Sequence, residues 1–222
     1  MSDLDLRVSK RSATLRGQVE DKLRAAISSG SFQPGQKLVE RELCEKLGVS
    51  RPSLREALRQ LEAEGLITLI PHRGPIVTTV DEEEAHQLYE LRSLLEGFAA
   101  QRCAEAGSAE FKRALAEAVE DFAAVALSGQ SVDLIESKSK FYDLLLEGSK
   151  NVYVRRTLES LYNRINLLRV TSMAQPGRIR HSIAELRDIV AAIQAGDGPR
   201  AAAACHLHIA NAAKAALSRK AA

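Results

Sequence analysis

Tryptophan is absent, and aromatic residues make up only 4% of the 222-residue chain. A core without large rings must be assembled from Leu, Ile, Val and Ala, which suits helices packed on helices. Cysteine is scarce as well: Cys44, Cys103 and Cys205 lie far apart and are odd in number. They offer neither a disulfide framework nor metal-ligand spacing, and they read as small buried hydrophobes in a reducing compartment. No apolar run approaches the roughly 20 residues that a membrane span requires. The opening MSDLDLRVSKRSA carries no apolar leader core. The expected location is therefore the cytoplasm, with no membrane partner. A strong charge of either sign is also missing, since the net charge is +2. The small excess is uneven: residues 1–80 hold 13 Lys/Arg against 10 Asp/Glu, and the remainder 18 against 19.

What is present is helical periodicity with clear punctuation. A helix is expected over Thr14–Ser29, where Leu15, Val19, Leu23, Ala26 and Ile27 recur at helical spacing. A short one follows at Glu40–Leu47, closed by Gly48, and another at Arg51–Glu64, with Ser50 as its N-cap and Pro52 in its first turn. Leu66–Ile70 and Ile76–Val80 are short and rich in β-branched residues, and they flank the turn Pro71-His72-Arg73-Gly74-Pro75. They read as a hairpin. From Asp81 onward six helices are expected, over 82–106, 109–128, 132–147, 151–173, 178–195 and 199–218, separated by Gly-containing breaks. The fold class is mainly α: an N-terminal winged helix-turn-helix over 12–80 and an all-helical bundle over 83–218.

The first of these domains has the features of a DNA reader. Gly48-Val49-Ser50 is a turn short enough to set two helices at a steep angle. On the second of them, Leu54, Ala57, Leu58 and Leu61 share one face, while Arg51, Arg55 and Arg59 lie four apart on another. Guanidinium groups there can grip phosphates or pair bidentately with guanine. Ser50 and Ser53 flank the helix N-terminus, where free backbone N–H groups also favour phosphate. A solvated helix face, with Glu56 and Glu62 balancing the arginines, is the plainer alternative for that stripe.

The stretch LRAAISSGSFQPGQKLVERELCEKLGVSRPSLREALRQLEAEGLITLIPHRGPIV resembles the DNA-binding domain of the GntR family of bacterial regulators, over about residues 14–78. The resemblance implies that Arg41, Ser50, Arg51, Ser53, Arg55, His72, Arg73 and Gly74 contact double-stranded operator DNA, and that the protein acts as a homodimer on a near-palindromic site. Pro52 stands where the family often has Thr.

The remainder resembles the all-helical, FCD-type effector domain of the FadR-like branch, through LYELRSLLEGFAAQRCAE, FYDLLLEGSKNVYV and RDIVAAIQAGD. That branch encloses a polar cavity. Many members hold a divalent metal there with an Asp and a His four apart on one helix and two later His. At the matching positions this chain has Lys138, Tyr142 and Leu186, with His206 read as the surviving histidine and His208 as facing elsewhere. No metal and no other cofactor is therefore expected. The resemblance also implies that Arg92 points into the cavity, although a surface ion pair with Glu96 is an alternative. Asn166 and Arg169 could line the cavity or lie on a solvated flank. Together Arg92, Lys138, Tyr142, Asn166, Arg169 and His206 are the expected effector ligands, and a small anion such as a carboxylate or acyl conjugate is the expected effector. Metal-dependent sensing of a carboxylate is the alternative. An enzyme is disfavoured, because no nucleophile–base pair or phosphate loop is present.

Overall fold

The computed structural model describes residues 10–128 and 131–218. It divides into two compact units, one up to Ile27 and over Phe32–Thr78, the other from Thr79 onward together with Ser28–Ser31. Each is described by itself.

The first unit contains α1 (Lys10–Ser28), α2 (Glu40–Leu47), α3 (Arg51–Ala63), β1 (Ile67–Ile70) and β2 (Gly74–Val77). Its core follows from helical spacing. Val19, Leu23 and Ile27 of α1, Leu43 of α2 and Leu54, Ala57, Leu58 and Leu61 of α3 are all buried. The two strands are antiparallel, with Ile67 opposite Val77 and Ile70 opposite Gly74. Residues 35–38 run along β2, with Gly35 N–H donating to Val77 C=O and Leu38 N–H to Pro75 C=O. Burying Leu66, Ile67 and Val77 against the helices fixes the hairpin's register. Arg24 of α1 forms a bidentate pair with Glu64, just past α3, with both N···O distances 2.9 Å.

The second unit is a bundle of α4 (Glu82–Ala106), α5 (Ala109–Ser128), α6 (Ser131–Gly148), α7 (Val152–Ser160), α8 (Tyr162–Met173), α9 (Arg178–Gln194) and α10 (Gly198–Leu217). Helix α10 packs against α4, α8 and α9, and α5 packs against α6 and α9. The expected single helix over 151–173 is corrected here: it breaks at Leu161, whose N–H bonds back three residues to Leu158 C=O. Ser160 Oγ–H donates to Thr157 C=O at the same place. Side-chain competition of this kind loosens a helix without any Gly or Pro to signal it. The core is mostly aliphatic and includes Leu115, Leu145, Leu186, Ile189 and Ile193, with the rings of Phe122 and Phe141 among them. Inside it lies a group of buried polar side chains that includes Arg92, Glu96, Lys138, Asn166, Arg169, Arg178 and His208. Charged side chains are rarely buried without a reason of pairing or function.

Candidate functional site

Two sets of side chains carry chemistry, one in each unit. In the first unit, α2 ends on Gly48, whose left-handed φ of 65° turns the chain sharply. Ser50 then caps α3, its Oγ accepting from Ser53 N–H and lying 3.0 Å from Ser53 Oγ. With Leu54, Ala57, Leu58 and Leu61 turned inward, Arg51, Arg55 and Arg59 are left exposed. They are not equivalent. Arg55 Nε reaches Glu40 at 3.1 Å, and Arg59 Nη1 reaches Glu56 at 2.8 Å. Among the described residues Arg51 forms no ion pair, nor do exposed Arg41 and Arg73. The hairpin tip is exposed at Pro71, His72 and Arg73, and His72 takes a left-handed φ of 61° beside Gly74 at 84°. Glu62 accepts from Leu69 N–H at 3.1 Å, so one of the acidic residues expected to neutralise the arginine face instead anchors β1.

In the second unit the buried polar group is organised around Tyr142 of α6. Its hydroxyl lies 2.8 Å from His208 Nε2, and His208 Nδ1 lies 2.5 Å from Glu185 Oε2. Burial pushes the His208 pKa down to about 3, against the raising pull of Glu185. The imidazole is therefore neutral: Nδ1–H donates to the Glu185 carboxylate, and Nε2 accepts from the tyrosine hydroxyl. Burial also pushes Glu185 up, but hydrogen bonds from His208 and Arg178 outweigh it and hold the carboxyl down at about 2. Arg178 pairs with Glu185 bidentately, at 3.0 and 2.6 Å. Two guanidinium groups lie over the Tyr142 ring, Arg169 with Cζ 4.0 Å from the centroid and Arg92 with Cζ at 5.8 Å. Arg92 is paired with Glu96 at 2.8 Å. Among the described residues Arg169 donates to neutral acceptors alone, Asn166 Oδ1 at 3.0 Å and Ser139 Oγ at 3.4 Å. Lys138, one turn before Tyr142, is buried with its Nζ 5.9 Å from the Phe122 ring centroid and forms no ion pair among the described residues. Burial lowers its pKa well below the lysine range, and Arg169, Arg178 and Arg92 push the same way against Glu185. A cavity of about 20 Å³ opens beside this group, lined by Glu96, Tyr142, Asp143, Tyr162 and Arg169 among others.

These placements settle where each expected effector residue lies. Arg92, Lys138, Tyr142, Asn166 and Arg169 are all brought into one buried neighbourhood. Arg92 does pair with Glu96, but inside the bundle rather than at its surface. His206 is corrected: it is exposed, with Nδ1 2.8 Å from Ser93 Oγ, and it packs over Gly97 of α4. The buried histidine is His208. The signal was in the sequence, since Ala201, Cys205, His208 and Ala212 form a stripe at steps of four and three, all buried, and His206 lies off it. Arg178 was missed for the same reason: Arg178, Ser182, Leu186 and Ile189 form the buried face of α9.

A divalent cation does not fit this donor set. Both nitrogens of His208 are already hydrogen-bonded, and the Arg178 guanidinium occupies the Glu185 carboxylate beside it. Among the described residues no group of three or more His, Cys, Asp and Glu could hold a metal ion.

Comparison with known proteins agrees with this architecture. The family model "Bacterial regulatory proteins, gntR family" matches residues 15–77, and the FCD domain model matches 87–211. The chain is 30% identical over 200 residues to the "probable D-xylose utilization operon transcriptional repressor" of Paenarthrobacter nicotinovorans, covering 89% of this chain and 86% of that one. It is 27% identical over 173 residues to the HTH-type transcriptional regulator YdhC of Bacillus subtilis, covering 78% and 77%. Among solved structures, a GntR regulator from Rhodococcus sp. RHA1 superposes with a TM-score of 0.78 at 22% identity, over 93% of this chain and 99% of that one. E. coli McbR/YncC gives 0.71 at 23% identity, over 92% and 95%. The chain belongs to the GntR family of bacterial transcriptional regulators, with a helix-turn-helix DNA-binding domain followed by an FCD effector domain.

Proposed function

We propose that this regulator reads a near-palindromic operator as a homodimer, and that its FCD domain grips a small anionic effector directly with side chains, without a metal. The observation that carries the effector reading is the buried excess of positive charge around Tyr142. Among the described residues Lys138 and Arg169 have no carboxylate partner, and Arg92 Nη1, Arg169 Nε and Asn166 Nδ2 are buried without an acceptor. Each such donor costs about 1–3 kcal/mol unless something accepts from it. His208 joins Arg92, Lys138, Tyr142, Asn166 and Arg169 as an effector ligand, in place of His206. The cavity of about 20 Å³ has room for about one water. A ligand of several atoms must therefore displace the side chains around it, and that movement couples occupancy to the bundle's conformation.

On the DNA side, unpaired Arg51 is the strongest candidate for a guanine contact. Arg41, Ser50, Ser53 and Arg55 surround it, and His72, Arg73 and Gly74 reach a neighbouring groove or backbone. Leu94 and Phe98 on α4 and Leu207 on α10 are exposed, and they give a second copy an apolar surface to cover. The regulator works in the cytoplasm, where operator DNA is.

Elemental analysis of protein purified without chelator tests the metal-free reading. Stoichiometric zinc, nickel or manganese would contradict it, as would effector binding that disappears in EDTA. Light scattering should give about twice the monomer mass of 24.2 kDa, and a monomer at micromolar concentration would contradict the dimer.

A further inference from the structure

We propose that the open cleft between the start of α9 and the end of α10 binds a small phosphate monoester, its phosphate held by Lys214, His181 and the first turn of α9. The cleft shares no lining residue with the cavity beside Tyr142. The inference therefore adds a second ligand site, at the surface, to the one proposed above.

The cleft offers about 410 Å³, within the roughly 300–1,000 Å³ of small-molecule sites. Packing of α9 on α10 shapes it. Gln175, Pro176, Arg178 and His181 line it from one side, and Asn211 and Lys214 from the other. Among the described residues Glu185 is the one carboxylate in its walls, and that carboxylate is spent. Its Oε1 accepts from Arg178 Nη1 at 3.0 Å and Asn211 Nδ2 at 2.8 Å, and its Oε2 from Arg178 Nη2 at 2.6 Å and from His208 Nδ1. Lys214 is exposed and, among the described residues, forms no ion pair. Two cations thus meet one carboxylate, and the surplus charge faces open space. Buried Arg178 also keeps its Nε without an acceptor.

The donors left over suit phosphate better than a carboxylate. Arg178 carries the guanidinium fork that matches a planar carboxylate, and Glu185 already occupies it. Lys214 presents a point charge with three N–H donors. Helix α9 starts after Gly177, which has a left-handed φ of 75° and no side chain to accept from the first-turn N–H groups. Those groups and the positive helix end favour an oxyanion. His181 stands over the same turn, its Cε1 4.0 Å from where a Gly177 Cβ would lie, and it adds a ring donor. The carbonyls at the end of α10 do not oppose this charge freely: Ser218 donates N–H to Lys214 C=O at 3.0 Å and Oγ–H to Ala215 C=O at 2.9 Å. The three terminal oxygens of a phosphate can accept from an ammonium, an imidazole and backbone N–H groups arriving from different directions. The remaining space, edged by Gln175, Pro176 and Asn211, fits a short polar body.

The test is isothermal titration calorimetry of the full-length protein, at fixed ionic strength, with glycerol 3-phosphate, ribose 5-phosphate, glycerol, ribose, inorganic phosphate and succinate. At least one ester should bind tenfold or more tighter than its dephosphorylated body and than succinate. Lys214→Gln and His181→Ala should each weaken that binding about tenfold. Both side chains are exposed, so the melting temperature should hold in both variants. No binding by either ester, succinate binding as tightly, or unchanged affinity in both variants would overturn the proposal. Inorganic phosphate binding as tightly as the esters would overturn the monoester. Ester binding that survives Lys214→Gln but is lost in Lys138→Met would place the ligand in the buried group, overturning the cleft and supporting the site proposed above.

Discussion

Glu96→Leu removes the partner of a guanidinium that is itself almost wholly buried. Arg92 and Glu96 side chains are 1% and 3% exposed and pair at 2.8 Å, one helical turn apart on α4. Among the described residues no second carboxylate pairs with Arg92, so it would remain charged and without its partner. Breaking a buried pair from one side costs about 3–5 kcal/mol. For a bundle of this size each kcal/mol lowers the melting temperature by roughly 3–4 °C, so a fall of roughly 9–20 °C is expected. Arg92→Met alone should cost a similar amount, because it strands Glu96 instead. The double variant Arg92→Met/Glu96→Leu should return to within about 1 kcal/mol of the starting protein or exceed it, since an apolar pair of similar volume avoids both desolvation penalties. Scanning calorimetry on all four proteins gives the cycle, and its coupling energy should be several kcal/mol. The double variant should nonetheless fail to bind effector. Single substitutions costing under about 1 kcal/mol, or a double variant as unstable as the sum of the singles, would refute the description of this pair as buried and mutually dependent.

Three further outcomes follow from other parts of the molecule. A Cβ added at Gly97 would lie 2.5 Å from His206 Cε1, so in Gly97→Ala the exposed imidazole must swing off Ser93, and the net change should stay under about 1 kcal/mol because Ala favours the helix; in a His206→Ala background Gly97→Ala should stabilise by about 0.5–1 kcal/mol in chemical denaturation, and no gain would mean another neighbour clashes. His208, at about 3 in the fold against 6.5 unfolded, contributes stability above pH 6.5 that is lost as pH falls toward 3, and Glu185, at about 2 against 4.5, loses its contribution between pH 4.5 and 2. The melting temperature should therefore drop steadily below pH 6.5, less so in His208→Gln, and a flat profile between pH 7 and 5 would refute the buried neutral imidazole. Arg51→Ala should weaken operator binding by about 1–3 kcal/mol and relax selectivity at one base position; a loss uniform across sequences would make Arg51 a phosphate contact instead.

Much of this architecture was legible in the sequence because local signals and tertiary packing agree. Gly48, Ser50 and the Leu54–Leu61 stripe specify the helix pair, and the β-branched runs around Pro71–Gly74 specify the hairpin. The break at Leu161 was not legible, because it depends on a backbone bond to Leu158 and a serine side chain rather than on a helix breaker. The effector group was partly legible. Lys138, Tyr142, Asn166 and Arg169 share inward-facing stripes, whereas His206 was chosen over His208 by resemblance, against the periodicity of Ala201, Cys205 and Ala212. The inward path of Arg178 follows the buried stripe of α9, but the meeting of Arg178 and Glu185 with His208 depends on α9 packing against α10. Charge pairing of that kind is a property of the assembled bundle.

Operator binding is the most direct measure of the central claim. A duplex selected by the protein from a random pool, labelled and titrated by fluorescence anisotropy at fixed salt, should bind at least about 10³-fold tighter than a scrambled duplex of equal length. An effector bound in the FCD domain should shift that affinity for the original protein but not for Lys138→Met. Equal affinity for the selected and scrambled duplexes would contradict sequence-specific reading by α3 and the hairpin tip. An unchanged operator affinity at saturating ligand would contradict control by the buried cations.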